Sequence, residues 1–513
     1  MTSWLSLTAL VALAQPGGGV STPAPAAGAA AARGAADAPR AAAAQQPPPT
    51  EEAAPQQPAE EAAAAEEPAK PAGKTVDELV KLALGQSGLV TEADGKVQEW
   101  KGRLAEVQSL YYPKLSARGY VAPMYRVKAE SVTSDPFQGP VNDFTEWGPY
   151  FHLEATLVQP IYTFGRLKAG RNAAEGRLAV EEARARQTRN TLALEVRKLY
   201  YLHLFTRSIQ PALANARKAV DGALKQAKEL YAEGGGKVTN VDLAKLEYGS
   251  AELDKFIIMA KMGEALSLAA LKHTVGLPES AELVLADEML PDAPTDELPA
   301  LAELIRVASA ERPEWAQVRH GKQAAISLEA AERLANAPIV FAAGQFRADY
   351  TAMRPDVKNS YYKDEYNGVS GGAAVGLQWD FDPLKARGSA EAARGIRTQV
   401  EGLEKFAASG IPLEVRKAYD DAVQAERLLE VAQRASTAGR KWLTFAGSAY
   451  AAGTGEAKDL LEGLVASLQG RRAYFEQLQA LHTARAYLTY ATGRTGVEAT
   501  RPPQPAAKVE PAK

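Results

Sequence analysis

The chain has 513 residues, and its 59 Lys and Arg against 62 Asp and Glu leave a formal net charge of -3, which excludes the basic excess that phosphate-backbone binding requires. It contains no cysteine, which excludes disulfides, thiolate metal sites and a lipid-modified N-terminal cysteine. Aromatic residues make up only 7% while Ala is abundant, a balance that favours long, closely packed helices over a thick aromatic core.

The first fourteen residues run through Trp4, Leu5, Leu7, Leu10 and Val11 to Ala12-Leu13-Ala14, an apolar stretch ending in the small-x-small pattern of a signal peptide. Residues 15–74 are Ala, Pro, Gln and Glu with almost nothing branched or aromatic, and the tail 494–513 reads the same way. Such segments bury too little apolar surface to offset their ordering entropy, so both are expected to be disordered. No later run of 18 apolar residues occurs, so any membrane crossing must be made by strands.

Between the tails the chain repeats itself. Leu194-Glu195-Val196-Arg197-Lys198-Leu199-Tyr200 matches Leu413-Glu414-Val415-Arg416-Lys417-Ala418-Tyr419. At the same separation Tyr231-Ala232-Glu233-Gly234-Gly235-Gly236 matches Tyr450-Ala451-Ala452-Gly453-Thr454-Gly455. A period of roughly 220 residues is too long for a solenoid and indicates a duplicated unit. The expected repeats are 75–290, with a tip near 231–240, and 291–493, with a tip near 450–459.

Each repeat reads as helix, strand, long loop, strand, then a long helix that turns at a Gly-rich tip and returns. Phe151, Leu153, Ala155 and Leu157 alternate with His152, Glu154 and Thr156. In the second repeat Val375, Leu377, Trp379 and Phe381 alternate with Ala374, Gly376, Gln378 and Asp380. That is the period-two pattern of strands with one lipid-facing side, on which an Arg at mid-depth, as in Leu377→Arg, costs about 2–4 kcal/mol. Their partner strands are Leu115–Val121 and Ile339–Tyr350.

The helices carry the stronger periodicity. Val415, Ala418, Ala422, Ala425, Leu429, Ala432, Ser436, Gly439, Leu443, Ala446 and Tyr450 step by three and four, a coiled-coil seam of small residues. Leu213, Ala216, Val220, Ala223, Ala227 and Leu230 do the same in the first repeat. A helix from Arg166 to Tyr231 would be on the order of 100 Å long. Pro211 and Pro412 predict a kink or short break in the two long helices.

Over roughly Thr75 to Gly493 this order resembles the TolC-like outer-membrane efflux family. The motifs that carry the likeness are the strand exit Val158-Gln159-Pro160-Ile161-Tyr162-Thr163-Phe164-Gly165, the helix start Arg312-Pro313-Glu314 and the two Tyr-Ala-x-Gly-x-Gly tips. The resemblance implies a mainly α fold with a small β part. In it, a duplicated protomer of long coiled-coil hairpins gives four strands to a trimeric twelve-stranded β-barrel above a periplasmic α-barrel. It implies a homotrimer in outer-membrane lipid, extending into the periplasm and working with a periplasmic adaptor and an inner-membrane pump as the passive exit duct of an efflux or secretion system. No cofactor, metal or nucleic acid is implied.

By the same resemblance Asp459 and Glu462 ring a closed periplasmic entrance, Tyr450 and Asn240 form a tip-to-tip latch, and Gly234, Gly236, Gly453 and Gly455 shape the adaptor-docking tips. An Arg that serves the latch in the family aligns with Gly455, so a salt-bridge component is expected to be missing. On the residues alone, acids in a first helical turn also offset the helix dipole, and Asn240 also suits a helix cap.

Enzyme readings find little support. Gly368-Val369-Ser370-Gly371-Gly372 fits the serine-hydrolase string but precedes a strand instead of joining a strand to a helix. His152, His203, His273, His320 and His482 show no metal-ligand spacing. The alternative of a different class is a periplasmic coiled-coil scaffold or adaptor without membrane insertion, which explains the helices but not two alternating strand pairs.

Overall fold

The computed structural model describes residues 73–128, 141–234, 238–354 and 365–496, all within one compact unit, Ala69–Lys513. The expected signal peptide, all of the expected linker before Gly73, Gly236 of the first tip and the tail beyond Gly496 lie outside the described residues.

In chain order the elements are α1 (Val76–Gln86), α2 (Gly88–Ser109), β1 (Lys114–Lys128), β2 (Val141–Tyr162), α3 (Arg166–Ala232), α4 (Asn240–Val275), α5 (Leu301–Glu311), α6 (Pro313–Arg333), β3 (Ile339–Thr351), β4 (Gly368–Gln378), α7 (Pro383–Ala451) and α8 (Ala457–Ala491). Two short or medium helices, a strand pair and a long helical hairpin thus occur twice. The strands form one antiparallel sheet in the order β1-β2-β3-β4, so β1 and β4 each keep one unpaired edge. The first strand pair is longer than the sequence suggests, because β1 runs past Val121 to Lys128 and β2 starts at Val141.

Strand gives way to helix differently in the two repeats. Phe164 and Gly165 adopt φ of 53° and 90°, a left-handed corner that only Gly takes without steric cost, and Arg166 N donates to Thr163 O at 3.0 Å. At the equivalent point of the second repeat, Asp382 accepts from Lys385 N at 3.0 Å and Pro383 occupies the first helical position.

Pro211 and Pro412 do not break their helices: α3 continues for 67 residues and α7 for 69. Each proline forfeits one backbone hydrogen bond, but apolar packing continues on either side of it. Leu213 and Ala216 are buried with Leu253 and Leu464, and Ile411 and Val415 with Ala308 and Leu488. Nearest the sheet the helices are ranked α2, α3, α6, α7; towards the tips the rank is α4, α3, α8, α7. Small residues set the spacing. A Cβ on Gly439 would lie 2.7 Å from Ala466 O, and one on Gly470 would lie 2.9 Å from Ser436 Cα, so α7 and α8 touch nearly backbone to backbone.

A strap, residues 276–300, joins the repeats across the middle of the helical body. Leu283, Leu285 and Leu290 sink into the main core beside Leu79, Tyr200, Leu271 and Leu481. Tyr200 donates to Asp287 at 2.7 Å, Leu290 N donates to Ser208 Oγ at 2.9 Å, and Arg485 pairs with Asp296 at 2.8 Å. Lys74 pairs with Leu285, so this last residue of the segment expected to be disordered is part of the fold.

Candidate membrane belt and periplasmic tips

Residues directly opposite each other in an antiparallel sheet point to the same face, so the register sorts every side chain. One face consists of the rows Val121-Phe151-Tyr350, Gly119-Leu153-Ala348-Val369, Ala117-Ala155-Phe346-Gly371 and Leu115-Leu157-Gly344-Ala373. It continues through Gln159-Ala342-Val375 and Tyr162-Val340-Leu377. Nothing on it is charged, and Phe151, Leu153, Leu157, Val375 and Leu377 are exposed. An exposed apolar band of this kind marks an interaction surface, and its alternation with a polar face matches the pattern of a lipid-facing strand.

Aromatic clusters bracket the band. Beyond Phe151, Tyr125 lies 4.7 Å from Phe144 and 6.0 Å from Trp147, whose indole N–H donates to Phe144 O at 2.9 Å. At the helical end Tyr162 lies 4.7 Å from Phe164 and Trp379 5.4 Å from Phe381. From Phe151 to Ile161 the strand covers ten steps of about 3.3 Å; tilted by about 40° it spans roughly 25 Å, the height of the apolar band of an outer-membrane barrel.

This geometry corrects two expectations. β4 ends at Gln378, so Trp379 and Phe381 are not strand residues. They lie just beyond its end, with Trp379 Nε1 donating to Asn336 O at 2.9 Å. Leu377 lies one residue from the end of β4, so the mid-depth position on the apolar face belongs to Leu157.

The opposite face is polar, and its detail was not anticipated. Asp349 accepts from Arg347 Nε at 2.5 Å and from the Tyr150 hydroxyl, and His152 Nδ1 lies 2.7 Å from it. Tyr120 stacks on His152 at 4.7 Å, and Gln345 donates to Glu154 at 2.7 Å. The sequence signal was available in the residues between the apolar ones, Ser116-Arg118-Tyr120 and Gln345-Arg347-Asp349, but it gains meaning only when the strands are in register.

At the tips, Gly234 and Gly453 take φ of 70° and 74°, a left-handed conformation that Gly adopts without steric cost. Gly455 is needed for another reason: a Cβ there would lie 2.9 Å from Tyr450 N and from the Ala449 Cβ. α4 opens with a capping box in which Thr239 and Asp242 satisfy each other's backbone N–H, so the cap is Thr239 and Asn240 is an exposed first-turn residue. The Thr239 hydroxyl holds the Asp242 carboxyl below its usual range.

Tyr450 is buried among Ala223, Ala227, Leu246 and Leu460, and its hydroxyl has no hydrogen-bond partner among the described residues. Burial, and secondarily the Asp242 carboxylate, push its phenol upward. Asp459 and Glu462 are exposed on the first turns of α8, with Lys458 3.8 Å from Glu462. The tips therefore bring Tyr450 and Asp242 towards each other but give Asn240 no side-chain bond. No group of three His, Asp or Glu side chains among the described residues is placed to hold a metal ion.

Substituting Arg on the apolar face at mid-depth, Leu157→Arg, is expected to destabilise the protein folded into vesicles by about 2–4 kcal/mol, whereas Thr156→Arg on the polar face should cost little. Leu377→Arg, near the interface, should cost about 0–1 kcal/mol. Denaturant unfolding from vesicles reads the difference, and equal costs at Leu157 and Thr156 would contradict the assignment of faces.

Comparison with known proteins agrees with this geometry. Residues 79–271 match the family described as outer membrane efflux protein. The fold is similar to the outer-membrane channel OprN, with a TM-score of 0.65, 16% identity, and coverage of 82% of this chain and 89% of that one. It is similar to the outer membrane protein VceC from Vibrio cholerae at the same TM-score and identity, covering 82% of this chain and 96% of that one. The Campylobacter jejuni CmeC outer membrane channel gives a TM-score of 0.65 at 15% identity, covering 82% and 85%. Among curated protein sequences none matches the chain. The matched segment takes in the first strand pair and nearly all of the first helical hairpin, and over that part the chain is similar to the outer membrane efflux protein family.

Proposed function

We propose that the protein is one protomer of a homotrimeric outer-membrane exit duct that continues into the periplasm, a passive conduit opened by an adaptor and fed by an inner-membrane pump. The observation that carries this reading is that the chain is unfinished on two sides at every level. Among the described residues β1 has a free edge on one side, where α2 and α4 pack on α3 and on the short α1, and β4 has one on the other, where α7 packs on α6, α8 and the short α5.

The uncovered helix faces are apolar. Val241, Tyr248, Met259, Met262 and Leu266 are exposed on α4, and Leu428, Val431, Trp442 and Phe445 on α7. The two sides differ, so copies join head to tail, and a closed ring is the arrangement that leaves no edge in lipid. Three copies of four strands give the twelve-stranded barrel known from the family. A coiled-coil scaffold would explain the helices but not the apolar sheet face and its two aromatic girdles.

In this assembly the Gly-rich tips, with Gly234, Gly236, Gly453 and Gly455, meet the adaptor. Asp459 and Glu462 repeat around the periplasmic entrance, and Tyr450 with Asn240 closes it. The unpaired Tyr450 hydroxyl supports a partner supplied on closure, since a buried hydroxyl left alone costs about 1–3 kcal/mol.

The native mass of protein extracted in mild detergent from purified outer membranes is expected to be that of a trimer; a soluble periplasmic monomer or dimer would leave the scaffold reading instead. Replacing Tyr450 by Phe together with Asn240 by Ala should raise leakage of large antibiotics into cells that make the duct. Unchanged leakage would remove these two residues from the gate.

A further inference from the structure

We propose that the barrel lumen holds three anion-binding stripes, one at each seam between protomers, built from Lys114 and Arg118 of one copy and the inner face of β4 of the next. The proposal rests on the trimeric duct and adds a preference for anionic groups on what passes through it.

The polar face of the sheet carries five formally charged side chains in its middle and lower rows: Lys114, Arg118, Glu154, Arg347 and Asp349. Three of them are engaged. Asp349 is enclosed by Tyr150, His152 and Arg347; Arg347 also donates to Glu365 O at 3.3 Å; Glu154 accepts from Gln345. Lys114 and Arg118 are different. They lie four residues apart on the same face of β1, about 13 Å along the strand, both are exposed, and neither has an ion-pair or hydrogen-bond partner among the described residues. Arg118 stands opposite Glu154 and Lys114 opposite Val158, yet neither position closes a salt bridge.

What these two cations meet is decided by closure of the barrel. Their strand has a free edge, and its neighbour in the ring is β4 of the next copy. β4, Gly368–Gln378, contains no charged residue, and its inner face presents Ser370, Gly372 and Ala374. A Cβ built on Gly372 meets nothing within 4 Å, so this wall is open as well as uncharged. The seam therefore sets a lysine and an arginine against a wall with no carboxylate to neutralise them.

Lys114, Arg118 and Arg347 outnumber Glu154 and Asp349 by one positive charge in each protomer, and the threefold ring concentrates that excess inside a narrow wall of low dielectric, where the field is focused. The ammonium offers a point charge and the guanidinium a planar fork, a pair suited to carboxylate, phosphate or sulfonate groups.

The test is calorimetric titration of the purified trimer in detergent at low salt with inorganic pyrophosphate. Up to three ions per trimer are expected, with binding weakened at least tenfold by the double substitution Lys114→Gln/Arg118→Gln. A comparable loss is expected from Gly372→Glu, which sets a carboxylate on the facing wall. Gly372 and the two cations lie on strands at opposite edges of one chain's sheet, so the effect of Gly372→Glu reads the seam between copies. A monomer in detergent would overturn the duct reading itself. A trimer that takes up no pyrophosphate, or takes it up equally with Lys114→Gln/Arg118→Gln or with Gly372→Glu, would overturn the stripes while leaving the duct intact.

Discussion

An unpaired strand edge cannot remain in hydrocarbon, because no water is there to satisfy its N–H and C=O groups. A four-stranded antiparallel sheet with an apolar face has two such edges, and the rest of the molecule is arranged around the need to close them. The helices follow the strands: α2 and α4 lie on the β1 side, and α7 lies on the β4 side along its whole length. In the proposed trimer one lateral displacement would therefore join sheet to sheet and helix to helix together, and the ring that closes the barrel would also close the tunnel beneath it.

The helical body is thin, so it is held by close approach rather than by a thick core. Ala418, Ala422, Ala425, Ser436 and Gly439 let α7 lie against α8 nearly backbone to backbone, where dispersion contacts are numerous although each side chain is small. The larger apolar groups gather at mid-length, where α1, the strap and α3 meet around Tyr200, Leu271, Leu478 and Leu481. Arg197 joins residues near the start and the end of the described chain there, bonding Asp77 at 3.1 Å and the Thr495 carbonyl. His203 and His482 lie in the same region, and burial lowers the pKa of each. Their folded neutral forms are favoured above the ordinary imidazole value, and that contribution fades as the pH falls through it.

Much of this architecture was legible in the residues, because long elements average over many positions. The seam from Val415 to Tyr450 is continuous enough to fix the helix, its buried side and its end. The alternation from Phe151 to Leu157 fixes a strand and its apolar face. Local rules were weaker wherever tertiary packing decides. Pro211 and Pro412 signal breaks by their own chemistry, yet packing on both sides carries the helices through. Trp379 and Phe381 continue the alternation of β4 in sequence, but the paired ladder stops at Gln378 and leaves them outside the sheet. The polar network around Asp349 joins residues from different strands, so no stretch of sequence displays it, and the burial of the Tyr450 hydroxyl depends on a second hairpin in the same way.

The central claim, that β1 of one copy pairs with β4 of another, can be tested through disulfides because the chain has no cysteine of its own. Within one chain β1 and β4 are separated by three strand spacings, about 14 Å, well beyond the reach of a disulfide. Ser116→Cys would be combined in turn with Ser370→Cys, Gly372→Cys and Ala374→Cys and oxidised in outer membranes. The account predicts covalent dimers and trimers for at least one pair; monomers throughout the series would contradict it.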